Sequence, residues 1–487
     1  MPKDILFLIS DQHSCRLQGY AGNAVVRTPH LDRLAAQGTV MLDCYAACPL
    51  CVPSRLTMLS GRYASSITAL TNDASLHPDT PTFVHALNAA GYDTTLCGRM
   101  HFIGPDQRHG FTKRIIGDIT PAHHGWKKPA GVDALPWNNG RIEQIAIQCM
   151  GGGDSTVLAY DRDVTDAAVR YLSDAYDRPQ FLCVGMYAPH FPYIAPKELF
   201  DYYYDRVVLP ESSYEGDEHP VFHGKLKDTD PETVRAAMAA YYGMTEFLDH
   251  NIGRILNAWE RYLAKNNREG IVIYVSDHGD TNGEHGFYGK NTFYDASVHV
   301  PMIFAGAGIP QGKEVCSPVS LLDLGPTICR MAEAPLPPMQ DGQCISDLIC
   351  GNTEDDDRIV ISELSHRFGA ASIGRMAKWR QYKYVTFSGF DGEDRLYDLA
   401  SDPCETRNVI FHHPDIAQKL AGALCSMKAP ETVLRELNDQ KACIDLIRTC
   451  REDHPQEWNR TETWHCAAGC AETAPSPMIA TKKEVSF

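Results

Sequence analysis

Cys48 and Cys51 stand three residues apart in the stretch CPLCVPSR. That spacing is usual for a thiol redox pair or for half of a zinc site. Neither chemistry calls for Pro53 or Arg55, which follow the second cysteine. Other reactive side chains stand in small clusters, each just after a short apolar run. Asp11 and Gln12 follow the run 5–9, and Arg99 and His101 follow the run ending at Cys97. His190 follows the run 181–185 by way of Met186-Tyr187-Ala188-Pro189, and Asp277 and His278 follow the run 271–275.

Short, nearly continuous apolar runs are what strands buried on both faces look like. Helical patterns lie between them, over 32–38, 82–90, 161–175 and 231–265. This alternation predicts an α/β fold, a mostly parallel sheet flanked by helices. Ligands bind beyond the carboxyl ends of the strands in such sheets, so the four clusters should share one crevice. A different pattern begins near residue 356. The runs 359–362, 383–387 and 395–399 read as short strands split by turn signals such as Asp391-Gly392. They predict a small antiparallel sheet. The expected organisation is a catalytic domain at 1–355 and a smaller C-terminal α+β subdomain at 356–430. A terminal helix and tail at 431–487 would be free to contact another copy in a homo-oligomer.

The composition excludes several classes. A net charge of −17 repels nucleic acid and anionic membranes. An anionic substrate therefore needs a local basic pocket that overrides the global field. The run 5–9 is too short for a signal peptide or a membrane span, and no later run is long enough either. The expectation is a cytoplasmic protein with no membrane partner, unless a leader has been removed. The 17 cysteines are odd in number and lack framework spacing. Most should be reduced thiols that pack as small hydrophobes.

Cys51-Val-Pro53-Ser-Arg55, continued by Leu59, Gly61 and Arg62, resembles the signature of the type I sulfatases, C-x-P-S-R-x-x-x-L-x-x-G-R. Five further blocks resemble that family in the same order: ILFLISDQ, GYDTTLCGRMHF, YAPHFPY, VSDHGD and RLYDLASDPCETRNV. The resemblance implies the alkaline-phosphatase-like fold. It also implies that Cys51 is oxidised to Cα-formylglycine by a formylglycine-generating or anaerobic sulfatase-maturating enzyme. Pro53 and Arg55 are what such an enzyme reads. Cys48, followed by Pro49-Leu50, does not fit and reads as a packing residue, as do Cys97 and Cys183.

The same resemblance implies the roles. A hydrated formylglycine offers one hydroxyl to attack sulfur and a second through which sulfate is later expelled. Asp11, Asp277, His278 and an oxygen of modified Cys51 would hold one divalent metal, with Gln12 close by. Many sulfatases carry Asp where Gln12 stands. The Asp-Gln and Asp-His pairs match the choline-sulfatase and phosphonate-monoesterase branch instead. An oxygen-rich site favours a hard cation, with Ca2+ ahead of Mn2+. Arg55 would hold the formylglycine. Arg99, where the family usually has Lys, would grip sulfate bidentately without moving a proton. His101 would take the diol proton, and His190 and Lys290 would bind sulfate and protonate the leaving oxygen. Asn72 reads either as a sulfate ligand or as a turn residue. His124, His285 and His299 lie near motifs but read as non-ligands.

The stretch from Cys97 through GDITPAHHGW resembles that of choline sulfatases, where an aromatic residue near Trp126 cages a quaternary ammonium. Lys127 and Lys128 follow Trp126 and would repel such a cation, so a sulfated sugar is an equal expectation. Trp458 and Trp464 in the tail would be placed to complete a pocket across a subunit boundary. The alternatives are a phosphonate monoester or phosphodiester hydrolase, a two-metal phosphatase or mutase, and a non-catalytic ester-binding relative.

Overall fold

The computed structural model describes residues 2–453 apart from 121, 123, 125–146, 148, 212–217, 224, 226, 352–353 and 367–370. Trp126 and the tail tryptophans lie outside the described residues. Eight strands form the main sheet, in the spatial order Lys313–Val315, Gly38–Met41, Met302–Gly306, Gly270–Ser276, Asp4–Asp11, Gln180–Pro189, Asp93–Gly98 and Lys113–Arg114. Only Met302–Gly306 runs against its neighbours; the other pairings are parallel.

Period-two alternation along each central strand feeds two separate cores. Leu6 and Leu8 face one side, with Leu182, Val184, Val272 and Tyr274. Ile5, Phe7 and Ile9 face the other, with Phe181, Cys183, Ile271, Ile273 and Val275. Helices Pro29–Ala36, Thr156–Tyr171 and the long Pro231–Asn266 cover the first face. Helices Cys51–Ser60, Phe83–Ala89 and Leu324–Met331 cover the second. Both faces being buried explains why the strands read as unbroken apolar runs.

The helix expected at 161–175 runs instead over Thr156–Tyr171. Ser155 caps it by accepting from Leu158 N. Asp161, the expected first residue, is buried inside the helix and accepts from the backbone N–H groups of Tyr187 and Ala188.

The antiparallel sheet has four strands, Val360–His366, Ser372–Trp379, Tyr382–Phe387 and Arg395–Asp398. The second was not expected, because Arg375 and Lys378 interrupt its apolar character. Both are buried beside carboxylates, Arg375 by Glu363 at 3.4 Å and Lys378 by Asp43 at 2.6 Å. The terminal helix, Pro430–Asp453, packs Val433 and Leu437 on Cys48, Ala64 and Leu70. No helix among the described residues is long and apolar enough to cross a membrane.

One buried ion cluster fastens the small sheet to the main one. Lys383 Nζ reaches Asp295 Oδ1 at 2.6 Å, Glu405 Oε1 at 2.5 Å and the carbonyl of Phe293 at 2.7 Å. Burial drives the Glu405 carboxyl up to about 7, against the pull of Lys383. Removing the cation strands two buried carboxylates. Lys383→Met should lower the unfolding free energy by about 3–5 kcal/mol in a urea titration. The loss should be smaller in mild acid, where Glu405 is protonated while Asp295, buried but held low by Lys383 and His299, stays charged; no loss would show that this cluster does not fasten the sheet.

Candidate active site

Four neighbouring strands end at one edge, and their ends bring the predicted clusters together. Asp277 and His278 follow Gly270–Ser276, Asp11 closes Asp4–Asp11, His190 follows Gln180–Pro189, and Arg99 follows Asp93–Gly98. The close approach has a sequence requirement. A Cβ at Gly185 would lie 1.8 Å from the carbonyl of Arg99. Gln12 and His101 take left-handed backbone conformations, with φ of 70° and 56°.

Cys51 opens the helix Cys51–Ser60. Pro53 fits the first turn, where its missing N–H has no intrahelical partner to lose. Leu50 precedes the helix and offers no side-chain cap. Asn72 supplies one from another loop, accepting from Val52 N at 3.0 Å. This is the structural role that the sequence left open beside sulfate binding.

Asp11, Cys51, Asp277 and His278 each direct one ligand atom into a common space, all within 4.8 Å of one another and all buried. His278 Nδ1 donates to the Gly279 carbonyl at 2.9 Å, which turns Nε2 toward Cys51 Sγ at 3.2 Å. Fixing one ring nitrogen on a carbonyl is how a ligating histidine is oriented. Arg55 lies fully buried between the carboxylates, with Nε 2.8 Å from Asp277 Oδ2 and Nη2 3.1 Å from Asp11 Oδ2. Burial opposes the charged form of both acids. The guanidiniums of Arg99 and Arg55, with His190, nevertheless hold Asp11 below the usual range, while Asp277 is raised.

Arg99 is more occupied than expected. Its Nε donates to Asp11, Nη1 to Asp118 and Thr120, and Nη2 to His101 Nδ1 at 2.9 Å. Its guanidinium also lies 4.2 Å from the Tyr187 ring centre. Four of five N–H donors therefore have partners, which leaves one for a ligand and no bidentate fork. Arginine only donates, so neutral His101 carries its proton on Nε2, the nitrogen left for Cys51. His190 has the opposite polarity. Its Nδ1 donates to the Phe191 carbonyl at 2.7 Å, and its Nε2 faces Lys290 Nζ at 2.6 Å. Burial holds His190 neutral, with its pKa pulled down to about 4. Lys290 Nζ also donates to Gln12 Oε1 at 2.7 Å.

Asp118, Asp280, Thr120 and Tyr187 were not singled out in the sequence. Asp118 and Asp280 stand inside quoted blocks, and a buried acid next to an assigned cation was the available signal. His285 stacks on Tyr294 at 3.7 Å and His299 pairs with Asp295; neither belongs to the four-residue cluster.

The fold is the helix-flanked, mostly parallel sheet expected of a sulfatase, with the buried cluster at its strand ends. The family model described as Sulfatase matches residues 3–334, and that of the N-sulphoglucosamine sulphohydrolase C-terminal region matches 283–429. The chain belongs to the sulfatase family, whose members hydrolyse sulfate esters. It is 30% identical over 433 residues to a choline-sulfatase of Rhizobium meliloti, covering 83% of this chain and 82% of that one. Against arylsulfatase K of Danio rerio it is 28% identical over 489 residues, covering 94% and 88%. The solved phosphonate monoester hydrolase of Agrobacterium radiobacter superposes with a TM-score of 0.71 at 22% identity, covering 87% and 95%.

The two cysteines of the opening stretch differ in surroundings. Burial raises the Cys48 thiol well above its ordinary value. Burial works the same way at Cys51, but Lys290, His278, His101 and His190 outweigh it and hold the thiol well below. Cys48→Ala should cost about 1 kcal/mol of stability and leave turnover intact. Cys51→Ala should keep the fold and lose about 10⁵-fold in kcat. Equal kinetic losses at the two positions would contradict this division.

Proposed function

We propose that the protein hydrolyses a sulfate monoester to an alcohol and inorganic sulfate, using Cys51 matured to Cα-formylglycine and one divalent cation. The observation that carries this is the placement of Cys51, first in its helix, among Asp11, Asp277 and His278 and beside three cationic side chains. As its hydrate, formylglycine supplies one hydroxyl that attacks sulfur in line and a second through which sulfate is expelled. A bound divalent cation supplies Lewis-acid charge that favours the ionised hydroxyl and offsets the sulfate oxygens.

Asp11, Asp277 and His278 would hold the cation, together with the oxygen that replaces Cys51 Sγ, and Gln12 Oε1 is positioned nearby. Carboxylates Asp11, Asp118 and Asp277 face the cations Arg55 and Arg99, and Asp280 and the cation Lys290 lie on either side of the Gln12 amide. One divalent cation turns that slight anionic excess into a site able to take a monoanionic ester. This is the local override that an acidic protein needs. The oxygen-dominated ligand set keeps Ca2+ ahead of Mn2+, while the imidazole keeps Mn2+ open.

The hydrogen-bond directions give the starting point for the proton traffic. His101 presents N–H toward Cys51 in the resting site and is the group proposed to exchange the diol proton. His190 Nε2 takes its hydrogen bond from Lys290, which couples the two residues proposed to bind sulfate and serve the leaving oxygen. Lys290 remains the donor for the leaving oxygen, and Arg55 holds the nucleophile's side of the cation. Arg99 orients Asp11 and His101 and contributes one N–H to sulfate. Asn72 caps the nucleophile helix, leaving its amide nitrogen for a sulfate oxygen. A formylglycine-generating or anaerobic sulfatase-maturating enzyme is the required partner, and a sulfated sugar or choline sulfate is the substrate class.

A phosphonate monoester hydrolase is the second reading, favoured by the Gln12 and His278 pattern. The test is kinetic, on matured protein with choline sulfate, monosaccharide sulfates and paired aryl sulfates and aryl phosphonates. The expected result is a higher kcat/KM for sulfate than for phosphonate. It should be lost in EDTA and restored by Ca2+ or Mn2+. The reverse order on the paired esters would favour the phosphonate reading, and activity that survives chelation would contradict the metal.

A further inference from the structure

The carboxylate of Asp280 is buried beside the cluster and makes four hydrogen bonds. It accepts from Gln12 Nε2 at 2.5 Å, from Tyr193 Oη at 2.7 Å, and from the backbone N–H groups of Asn282 and Gly289 at 2.8 Å each. Two of these contacts reach the reacting groups. The Gln12 amide is pinned by its nitrogen, so its oxygen faces the other way, onto Lys290 Nζ at 2.7 Å. Gly289 is the residue before Lys290, so the same carboxylate also fixes the backbone that carries the lysine. Lys290 in turn meets His190.

Gln12 is held at every polar atom. Its N–H donates to Asp277 Oδ1 at 3.0 Å, its carbonyl accepts from Tyr241, and its side chain spans Asp280 and Lys290. An amide can sit either way round, and side-chain shape alone does not choose. A carboxylate on one side and an ammonium on the other do choose. Reversal would set the amide oxygen against Asp280 and the amide nitrogen against Lys290. Both contacts would be repulsive, between groups buried from bulk solvent.

We propose that Asp280 is a positioning residue that fixes the orientation of the Gln12 amide, so that an oxygen, not an N–H, faces Lys290. Asp280 itself touches neither substrate nor nucleophile in this account. Its effect passes through Gln12 and Lys290. The kinetic part rests on the sulfatase reading of the site; the hydrogen-bond polarity does not.

The polarity can be exchanged. Asp280→Asn turns the acceptor facing Gln12 into an amide, and Gln12→Glu sets two carboxylates against each other. The double variant Asp280→Asn with Gln12→Glu restores one donor–acceptor contact, keeps an oxygen toward Lys290 and conserves total charge. Each single variant should lose about 10–100-fold in kcat/KM on an aryl sulfate. The double should regain at least about tenfold over the weaker single, the non-additivity expected of groups in contact.

Thermal unfolding of the same four proteins in EDTA gives a readout independent of catalysis. The singles should melt lower and the double should recover. Should Asp280→Asn fail to fold, the double must still exceed Gln12→Glu in both measurements. A double variant no better than its worse parent, or Asp280→Asn equal to the parent protein, overturns the proposal. If the matured parent protein turns over no sulfate ester, the sulfatase reading fails, and the unfolding cycle still decides the pairing.

Discussion

Arg55 is the interaction on which the rest of the site depends. Asp11 and Asp277 stand at the ends of adjacent parallel strands and would repel each other, both being buried from solvent. The Arg55 guanidinium lies between them, wholly buried, and its Nη1 also donates to the Arg99 carbonyl at 3.1 Å. Burying three charges is expensive unless the geometry is good and every donor is used. Here the ion pairs dock the helix Cys51–Ser60 onto the strand ends, which is what brings Cys51 to the cluster. The residue that the signature seemed to carry for no redox or zinc purpose is therefore the clamp of the active site.

Around that clamp, each reacting group has a partner that fixes its direction. Asp118 and Tyr187 hold Arg99, and Arg99 fixes the tautomer of His101. The Phe191 carbonyl fixes that of His190, and the Gly279 carbonyl that of His278. Asp161 ties down the strand end at Tyr187 and Ala188, just before His190. Preorganised donors and acceptors of this kind need not rearrange during a reaction, and that is where much catalytic power resides. On the proposed function they would, with a bound cation, also set the local field through which a strongly acidic chain serves an anionic ester.

The strand-edge site was legible because strands buried on both faces write themselves as apolar runs, and the residue after each run must lie at the edge. The same reasoning failed where burial was achieved by charge. Ser372–Trp379 is the second strand of its sheet, yet Arg375 and Lys378 hide it, because their carboxylate partners Glu363 and Asp43 lie elsewhere in the sequence. Asp161 reads as the first residue of its helix because its distant backbone partners cannot be seen in one dimension. Arg99 looked free to grip sulfate for the same reason. Its partners Asp118 and Thr120 lie within quoted blocks, but hydrogen-bond direction is a property of the folded chain. The Trp126 expectation and the role of the tail beyond residue 453 lie outside the described residues.

The central claim is that Cys51 serves as an oxidised residue, not as a thiol. Mass spectrometry of the peptide spanning Cys51, on protein purified from its native host, tests it most directly. The account predicts a peptide carrying the formylglycine aldehyde or its hydrate at position 51, with Cys48 still a thiol. A peptide in which Cys51 is always an unmodified thiol would contradict it.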